Sequence, residues 1–359
     1  MSRINRPYEM IALQEVANLI AQVGDKVTVL AQGHIGTGKS SMLKMLAEKY
    51  PDHHPCYLDC TTLDVGDISV PKIKAMEHAE VTSFIPNENL GFHLDKPVIL
   101  MIDELGKASK SVMNALLRIM LERRLGVHAL PEKSIVFATT NLGAEGVGDL
   151  LPPHARNRLC VVKVRKPTST EWIENFALLN NVHPVVVGTA MEYPSMFESF
   201  EDVDDPNSNH YIYHPKSPRT AFVTPRSLEK ASDILKATDY LPDDVKVHAL
   251  MGVIGEAAAM DILTIQKLDD AMPTWERVIA DPSDCPLPKN GVANCMMVAK
   301  AAMRVEKESM DAWMTYLLRL PKEVQALFGK TIMRGPKKGM AATHREFVKW
   351  AGDASYLFS

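Results

Sequence analysis

The stretch Gly33-His34-Ile35-Gly36-Thr37-Gly38-Lys39-Ser40 constrains this chain more than any other. It fits G-x-x-x-x-G-K-[ST] at every fixed position. The physical demand behind that pattern is specific. Glycine lets the backbone wrap closely around phosphate oxygens, and successive N–H groups at a helix N-terminus present partial positive charge to them. The flanks agree: the β-branched run Val27-Thr28-Val29-Leu30 leads into the loop, and SMLKMLAEKY (41–50), opening on Ser41, is rich in helix formers. Strand, glycine loop and helix form the frame that such a loop requires. Lys39 is therefore expected to reach the β- and γ-phosphates and the Ser40 hydroxyl to ligate Mg2+. Gly33, His34, Ile35, Gly36, Thr37, Gly38 and Ser41 complete the expected nucleotide cradle.

The pattern repeats downstream. Residues 56–60 alternate like a strand, and Pro97-Val98-Ile99-Leu100-Met101-Ile102 is an apolar run ending at Asp103-Glu104. Such a run suits a strand buried on both faces of a parallel sheet. A helix is expected over 109–124, a buried strand over 134–140 closed by Asn141, and a short strand over 161–164. Strands alternating with helices predict an α/β domain over 1–166, after an amphipathic helix at 8–23. The stretch 67–92 is less regular. From Thr168 the pattern changes to helices (169–180, 226–238, 243–266, 291–310, 311–318, 321–328 and 343–351), with an irregular insert at 181–224. A helical lid over 167–240 and an α-helical C-terminal region over 241–359 are expected.

An aspartate at a strand edge some sixty residues beyond the loop can hold a metal together with Ser40, and a glutamate beside it can deprotonate an attacking water. Asp103 and Glu104 take these expected roles. Asn141 ends the strand expected between the two motif strands, where its amide can touch the γ-phosphate or the water; Thr139 and Thr140 compete for that place. Arg156 and Arg158 precede the last strand, and a guanidinium there can enter a neighbouring subunit's nucleotide. Arg226 opens a helix after Pro225 and can close a lid onto the γ-phosphate. Each arginine also reads as an ordinary solvated side chain.

The chain's 359 residues, 46% of them apolar, suffice for two or three domains with their own cores. No uninterrupted apolar stretch is long enough to span a membrane, and the N-terminus lacks the apolar run of a signal peptide. Forty-four acidic residues against forty basic ones do not favour non-specific nucleic-acid binding. Five scattered cysteines suit a reduced cytoplasm. His53, His54, Cys56 and Cys60 lack the second ligand pair that a zinc site needs. Arg118, Arg123 and Arg124, and Arg334, Lys337 and Lys338, are local basic groups that more often face solvent than a ligand. Met296, Met297, Met303, Met310 and Met314 fit core packing. His210, Tyr211, Tyr213 and His214 suit either a pore or a packed loop.

The order GHIGTGKS, VILMIDEL, ATTN, ARNRL and TPRSLEKA resembles that of the AAA+ ATPases. More narrowly it is similar to the MoxR-like group with its CbbQ/NorQ relatives, above all in SKSVMNALLRIMLERRLGVHALPEKSIVFATTN (109–141). The resemblance covers about residues 10–240. It implies a P-loop NTPase (AAA+) core that uses ATP and Mg2+, with Asn141 as sensor 1, Arg158 (with Arg156 as the alternative) as the arginine finger, and Arg226 as sensor 2. It further implies an ATPase acting at the subunit interfaces of a hexameric ring and remodelling a partner protein. A von Willebrand factor A-domain protein is the implied partner, and the cytoplasm of a bacterium, or of a cell carrying a bacterial virus, the implied setting. The alternatives are a nucleic-acid-stimulated motor and a non-hydrolysing scaffold. Asn141-Leu142-Gly143 departs from the Asn-Pro common in the family, the 181–224 insert exceeds a minimal lid, and the last hundred residues carry no assignable motif.

Overall fold

The computed structural model describes residues 10–142, 157–217, 219–237 and 241–354. The chain divides into two compact units, Met1–Lys166 and Pro167–Ser359.

In the first unit, helix α1 (Leu13–Val23) precedes β1 (Val29–Gly33), the glycine loop and α2 (Ser41–Lys49). Next come β2 (His54–Asp59), β3 (Ser69–Met76), β4 (Ala79–Pro86), β5 (Val98–Asp103) and α3 (Lys110–Glu122). The short β6 (Arg124–Leu125) and β7 (His128–Ala129), then β8 (Ile135–Asn141) and β9 (Cys160–Val164), follow. Five strands form one parallel sheet in the order β2-β5-β8-β1-β9. β8 therefore lies between the two motif strands, β1 and β5.

Every residue of β5 and β8 is buried, because helices cover both sheet faces and successive side chains enter different cores. Leu30, Leu58, Leu100, Ile102, Val136 and Ala138 pack with Val112, Leu116 and Ile119 of α3. Val29, Ala31, Ile99, Met101 and Phe137 pack on the other face with Val16 and Ile20 of α1 and Met42 and Leu46 of α2. The α2 face thus carries the odd-numbered residues of β1, β5 and β8. Continued to the strand ends, it carries Gly33, Asp103, Thr139 and Asn141. The chain leaves β1 for β2 on the far side of β8 and β5, and ligands of such sheets bind beyond the carboxyl ends of the strands near such a reversal.

The stretch 67–92 is more ordered than its composition predicts. β3 and β4 form an antiparallel hairpin from Ser69↔Pro86 to Met76↔Ala79. Its apolar residues lie on both faces, which hides the period of two. Val70, Ile73, Met76, Phe84 and Ile85 are exposed. The Nε2 of His128, in the β6–β7 hairpin, lies 2.9 Å from the Phe84 carbonyl oxygen.

The second unit is helical. An apolar cluster runs from Trp172 to Ala354, so the segments expected as lid (167–240) and C-terminal region (241–359) share one core. Within it lies helix Pro184–Glu192, in the stretch that the sequence reads as an irregular insert. All residues from Pro184 to Ala190 are buried. A helix apolar all round lacks the amphipathic period, which is why the pattern misses it. Trp313, fully buried, packs against Trp275, Tyr316 and Phe328 with ring centroids 5.6, 5.8 and 5.3 Å away. The helix expected over 243–266 is two, Asp243–Ile254 and Glu256–Asp270, broken at Gly255 with φ 84°.

Several surface-looking groups are structural. Arg123 ends α3 in the left-handed region, and its guanidinium donates to Thr28 Oγ1 (2.6 Å) and the Gly24 carbonyl (2.9 Å). Burial lowers its pKa to about 10. Lys337 donates to the carbonyls of Met303 and Val305 and to Glu306, and Arg334 to Asn175. Tyr211 donates to Asp261 at 2.8 Å, and the Tyr213 ring packs on Phe200 and Phe222. Met296, Met297, Met310 and Met314 are buried.

Candidate nucleotide-binding site

Gly33 is both the last residue of β1 and the first of the loop. A Cβ there would meet Thr37 Oγ1 and the Val164 carbonyl, each at 3.1 Å. Gly36 and Gly38 have φ of 75° and 89°, values that side-chain-bearing residues rarely adopt. The loop closes on itself: Thr37 Oγ1 donates to the His34 carbonyl (3.1 Å), and both residues are buried. Ile35 and Ser40 are half-buried. Ser41 opens α2 and donates its hydroxyl to the Gly38 carbonyl at 2.7 Å.

Lys39 is only 7% exposed. A buried ammonium must have its protons accepted. Its Nζ donates to the carbonyls of Gly33 (2.9 Å) and His34 (3.0 Å) and to Asn141 Oδ1 (2.9 Å). The Asn141 amide turns its other end to Glu104, with Nδ2 donating to Oε1 at 3.0 Å and Oε2 at 3.1 Å. Asn141 thus bridges the loop cation and the acidic residue, each end of its amide facing the matching charge. Glu104 has φ 53°, a turn that carries its side chain off the end of β5, and its carboxylate also lies 3.5 Å from Lys107 Nζ.

Asp103 is buried and fully engaged. Oδ2 accepts from Ser40 Oγ (3.0 Å) and Tyr57 OH (3.0 Å). Oδ1 accepts from the Glu104 N–H (3.1 Å) and from Thr139 Oγ1. Thr139 therefore serves Asp103, and of the three polar residues closing β8 it is Asn141 that meets Lys39 and Glu104. Tyr57 is a member of this constellation that the motif reading misses. The available signal is strand alternation, because Tyr57 and Asp59 share a face and Asp59 pairs with Asp103. Cys60 lies beside the site. Burial, and then Asp59, Asp103 and Glu104, raise its thiol pKa to about 12.

Arg158 stands apart from the loop of its own unit. Arg158 is exposed just before β9. Since Cys160 pairs with Val29 and Val164 with Gly33, Arg158 lies at the amino edge of the sheet, on the order of 15 Å of strand from its own loop. Arg156 lies outside the described residues. Arg226 is exposed on the first turn of helix Pro225–Ala237 in the second unit, a turn capped by Thr224 Oγ1 accepting from the Ser227 N–H at 3.0 Å.

Residues 29–167 match the family described as "ATPase family associated with various cellular activities (AAA)". The fold of the first unit is that of the AAA P-loop NTPases. The RuvB Holliday junction branch migration motor of Thermotoga maritima is similar at 16% identity, with a TM-score of 0.39 and 86% of each chain covered. NtrX from Brucella abortus in complex with ATP is similar at 12% identity, with a TM-score of 0.36, covering 97% of this chain and 68% of the other. No curated protein matches the sequence.

The donor chemistry fits the Mg2+ that accompanies nucleotide in such domains. Ser40 and Asp103 offer a hydroxyl and a carboxylate oxygen in mutual contact, and hard oxygen donors of this kind suit that ion. Among the described residues, no helix is long and apolar enough to cross a membrane.

Proposed function

We propose that this protein is an ATP-hydrolysing motor of MoxR type that works as a ring and remodels a partner protein. The observation that carries the reading is the meeting of Lys39, Asn141 and Glu104 in one hydrogen-bonded chain beside the Ser40–Asp103 pair. Loop N–H groups and Lys39 hold the β- and γ-phosphates. Ser40 and Asp103 would hold Mg2+, which would neutralise phosphate charge. Glu104 takes the proton of the water that attacks the γ-phosphorus, and ADP leaves with the β–γ bridging oxygen. An incoming phosphate competes with Asn141 for Lys39, and loss of that contact frees the asparagine and the glutamate to face the water.

The reading of Arg158 as a finger acting in trans is supported by its distance from its own loop. A guanidinium at the amino edge of the sheet can serve the nucleotide of an adjoining subunit and not its own. Arg226 is read as the sensor of the second unit. A ring, most simply a hexamer, follows from trans catalysis, and a von Willebrand factor A-domain protein is the partner that the MoxR resemblance suggests. A nucleic-acid-driven motor is less well supported. Arg123, Arg334 and Lys337 are engaged with the protein's own carbonyl, hydroxyl, amide and carboxylate oxygens, and the net charge is −4.

The test pairs two variants. Glu104→Gln is expected to bind ATP while turnover falls by roughly 10²-fold or more. Arg158→Ala is expected to be inactive alone. Mixed with Glu104→Gln subunits, it should recover measurable ATPase activity, since some interfaces then combine an intact glutamate with an intact arginine. Unchanged turnover in Glu104→Gln would refute its role. No recovery in verified mixed assemblies would refute trans catalysis.

A further inference from the structure

Tyr57 has no part in the motif reading, yet its hydroxyl lies in the middle of the site. It sits on β2, the edge strand, and is 46% exposed. The register sets the geometry. Tyr57 pairs with Met101 and Asp59 with Asp103, so the ring rises from the α2 face one pleat before the carboxylate on the neighbouring strand. Its O–H donates to Asp103 Oδ2 at 3.0 Å, and the same oxygen accepts from Ser40 Oγ at 3.0 Å. The opposite oxygen, Oδ1, is held by Thr139 and the Glu104 N–H. A carboxylate has about four acceptor directions, and here four donors among the described residues occupy them. Two come from the sheet, one from the turn that follows β5, and one, Ser40, from the nucleotide loop.

The four are not equivalent. Thr139 and the Glu104 N–H fix the oxygen that points back into the sheet. Ser40 can ligate a cation through an oxygen lone pair with its proton still on Oδ2, but its side chain belongs to the nucleotide loop. Tyr57 is the strand-borne donor on that oxygen, and it sets the rotation of the carboxylate about its Cβ–Cγ bond. Groups that orient a metal ligand in this way commonly change metal affinity by 10- to 100-fold when removed. We infer that Tyr57 is a positioning residue that presents Asp103 Oδ2 to the Mg2+ accompanying the nucleotide. The inference deepens the ATPase reading and rests on it.

The experiment measures binding of N-methylanthraniloyl-ATP to the full chain by fluorescence while Mg2+ is titrated from EDTA upward. Wild type is compared with Tyr57→Phe, which removes only the hydroxyl, and Tyr57→Leu, which also removes the ring. The expected result is a half-saturating Mg2+ concentration raised about tenfold in Tyr57→Phe, with a comparable shift in Tyr57→Leu. Thermal midpoints in EDTA verify that both variants are folded. If Tyr57→Phe titrates like wild type, the proposal is overturned, and a shift confined to Tyr57→Leu assigns the ring a packing role instead. If wild type fails to bind the analogue at any Mg2+ concentration, the nucleotide reading beneath the proposal falls, an outcome separate from the first; binding without any dependence on Mg2+ overturns the proposal itself.

Discussion

At the residue scale, the site is a set of charges neutralised by one another. Lys39 is buried, yet the Gly33 and His34 carbonyls and Asn141 accept its protons. Asn141→Ala removes one acceptor from a buried ammonium and one donor from Glu104. Leaving such a group short of a partner costs about 1–3 kcal/mol. The nucleotide-free variant is expected to melt earlier by that amount, and the deficit should shrink when ATP is added, because a phosphate oxygen replaces the lost amide. Scanning fluorimetry with and without ATP checks this, and an equal deficit in both conditions would count against the exchange. The residues of this network were legible to different degrees. Lys39, Ser40, Asp103 and Glu104 could be read because their chemistry forces a local pattern. Asn141 could be read as a strand end and is singled out by the family resemblance, although the residues by themselves leave Thr139 and Thr140 as competitors. Only the alternation of β8, which puts Thr139 and Asn141 on the α2 face, separates Thr140 from the other two. Only their positions along that face then divide Asp103 from Lys39 and Glu104.

At the element scale, strands buried on both faces were the easiest to read, and β5 and β8 lie within a residue or two of their expected bounds. The hairpin β3–β4 and the helix Pro184–Glu192 escaped because neither carries a one-sided apolar stripe. That helix owes its place to a glycine. A Cβ on Gly188 would come within 2.6 Å of Met296 Sδ and 3.0 Å of Ile265 Cγ2, so the neighbouring helices approach where a side chain is missing. Gly188→Ala is expected to destabilise, because overpacking of about 1–3 kcal/mol exceeds the helix-propensity gain of about 1 kcal/mol. Gly252 provides the control. It is exposed in helix Asp243–Ile254, and a Cβ there meets nothing within 4 Å. Gly252→Ala should therefore stabilise by up to about 1 kcal/mol. Urea denaturation of the two variants should give midpoint shifts of opposite sign; a gain in both would show that the Gly188 contact relaxes freely.

At the scale of the whole molecule, burial sets the alkaline behaviour. The thiols of Cys56, Cys60 and Cys295 are raised to about 11, 12 and 12, chiefly by burial, and Tyr316 to about 12 for the same reason. Folded values above the unfolded ones mean that these groups cost nothing below pH 9. As pH rises, the unfolded chain releases protons that the folded one keeps, and stability falls. Arg123, lowered to about 10, acts in the opposite sense, but only above pH 10. The urea midpoint is therefore expected to drop between pH 8 and pH 10, and Cys56, Cys60 and Cys295 should resist an aromatic disulfide reagent at pH 8 until the protein unfolds. Rapid modification of these three in the native state would refute their burial. The sequence alone determined the parallel α/β core, the glycine loop and the acidic pair. These are dictated by contacts between near neighbours: a backbone that must bend around phosphate, and strands whose apolar runs record burial on both faces. Only the tertiary structure decided that Tyr57 reaches Asp103, that Asn141 joins Lys39 to Glu104, that Arg158 stands at the far edge from its own loop, and that several basic residues are spent inside the fold. Those outcomes depend on register and strand order, which bring together residues dozens of positions apart, and no local pattern encodes that pairing.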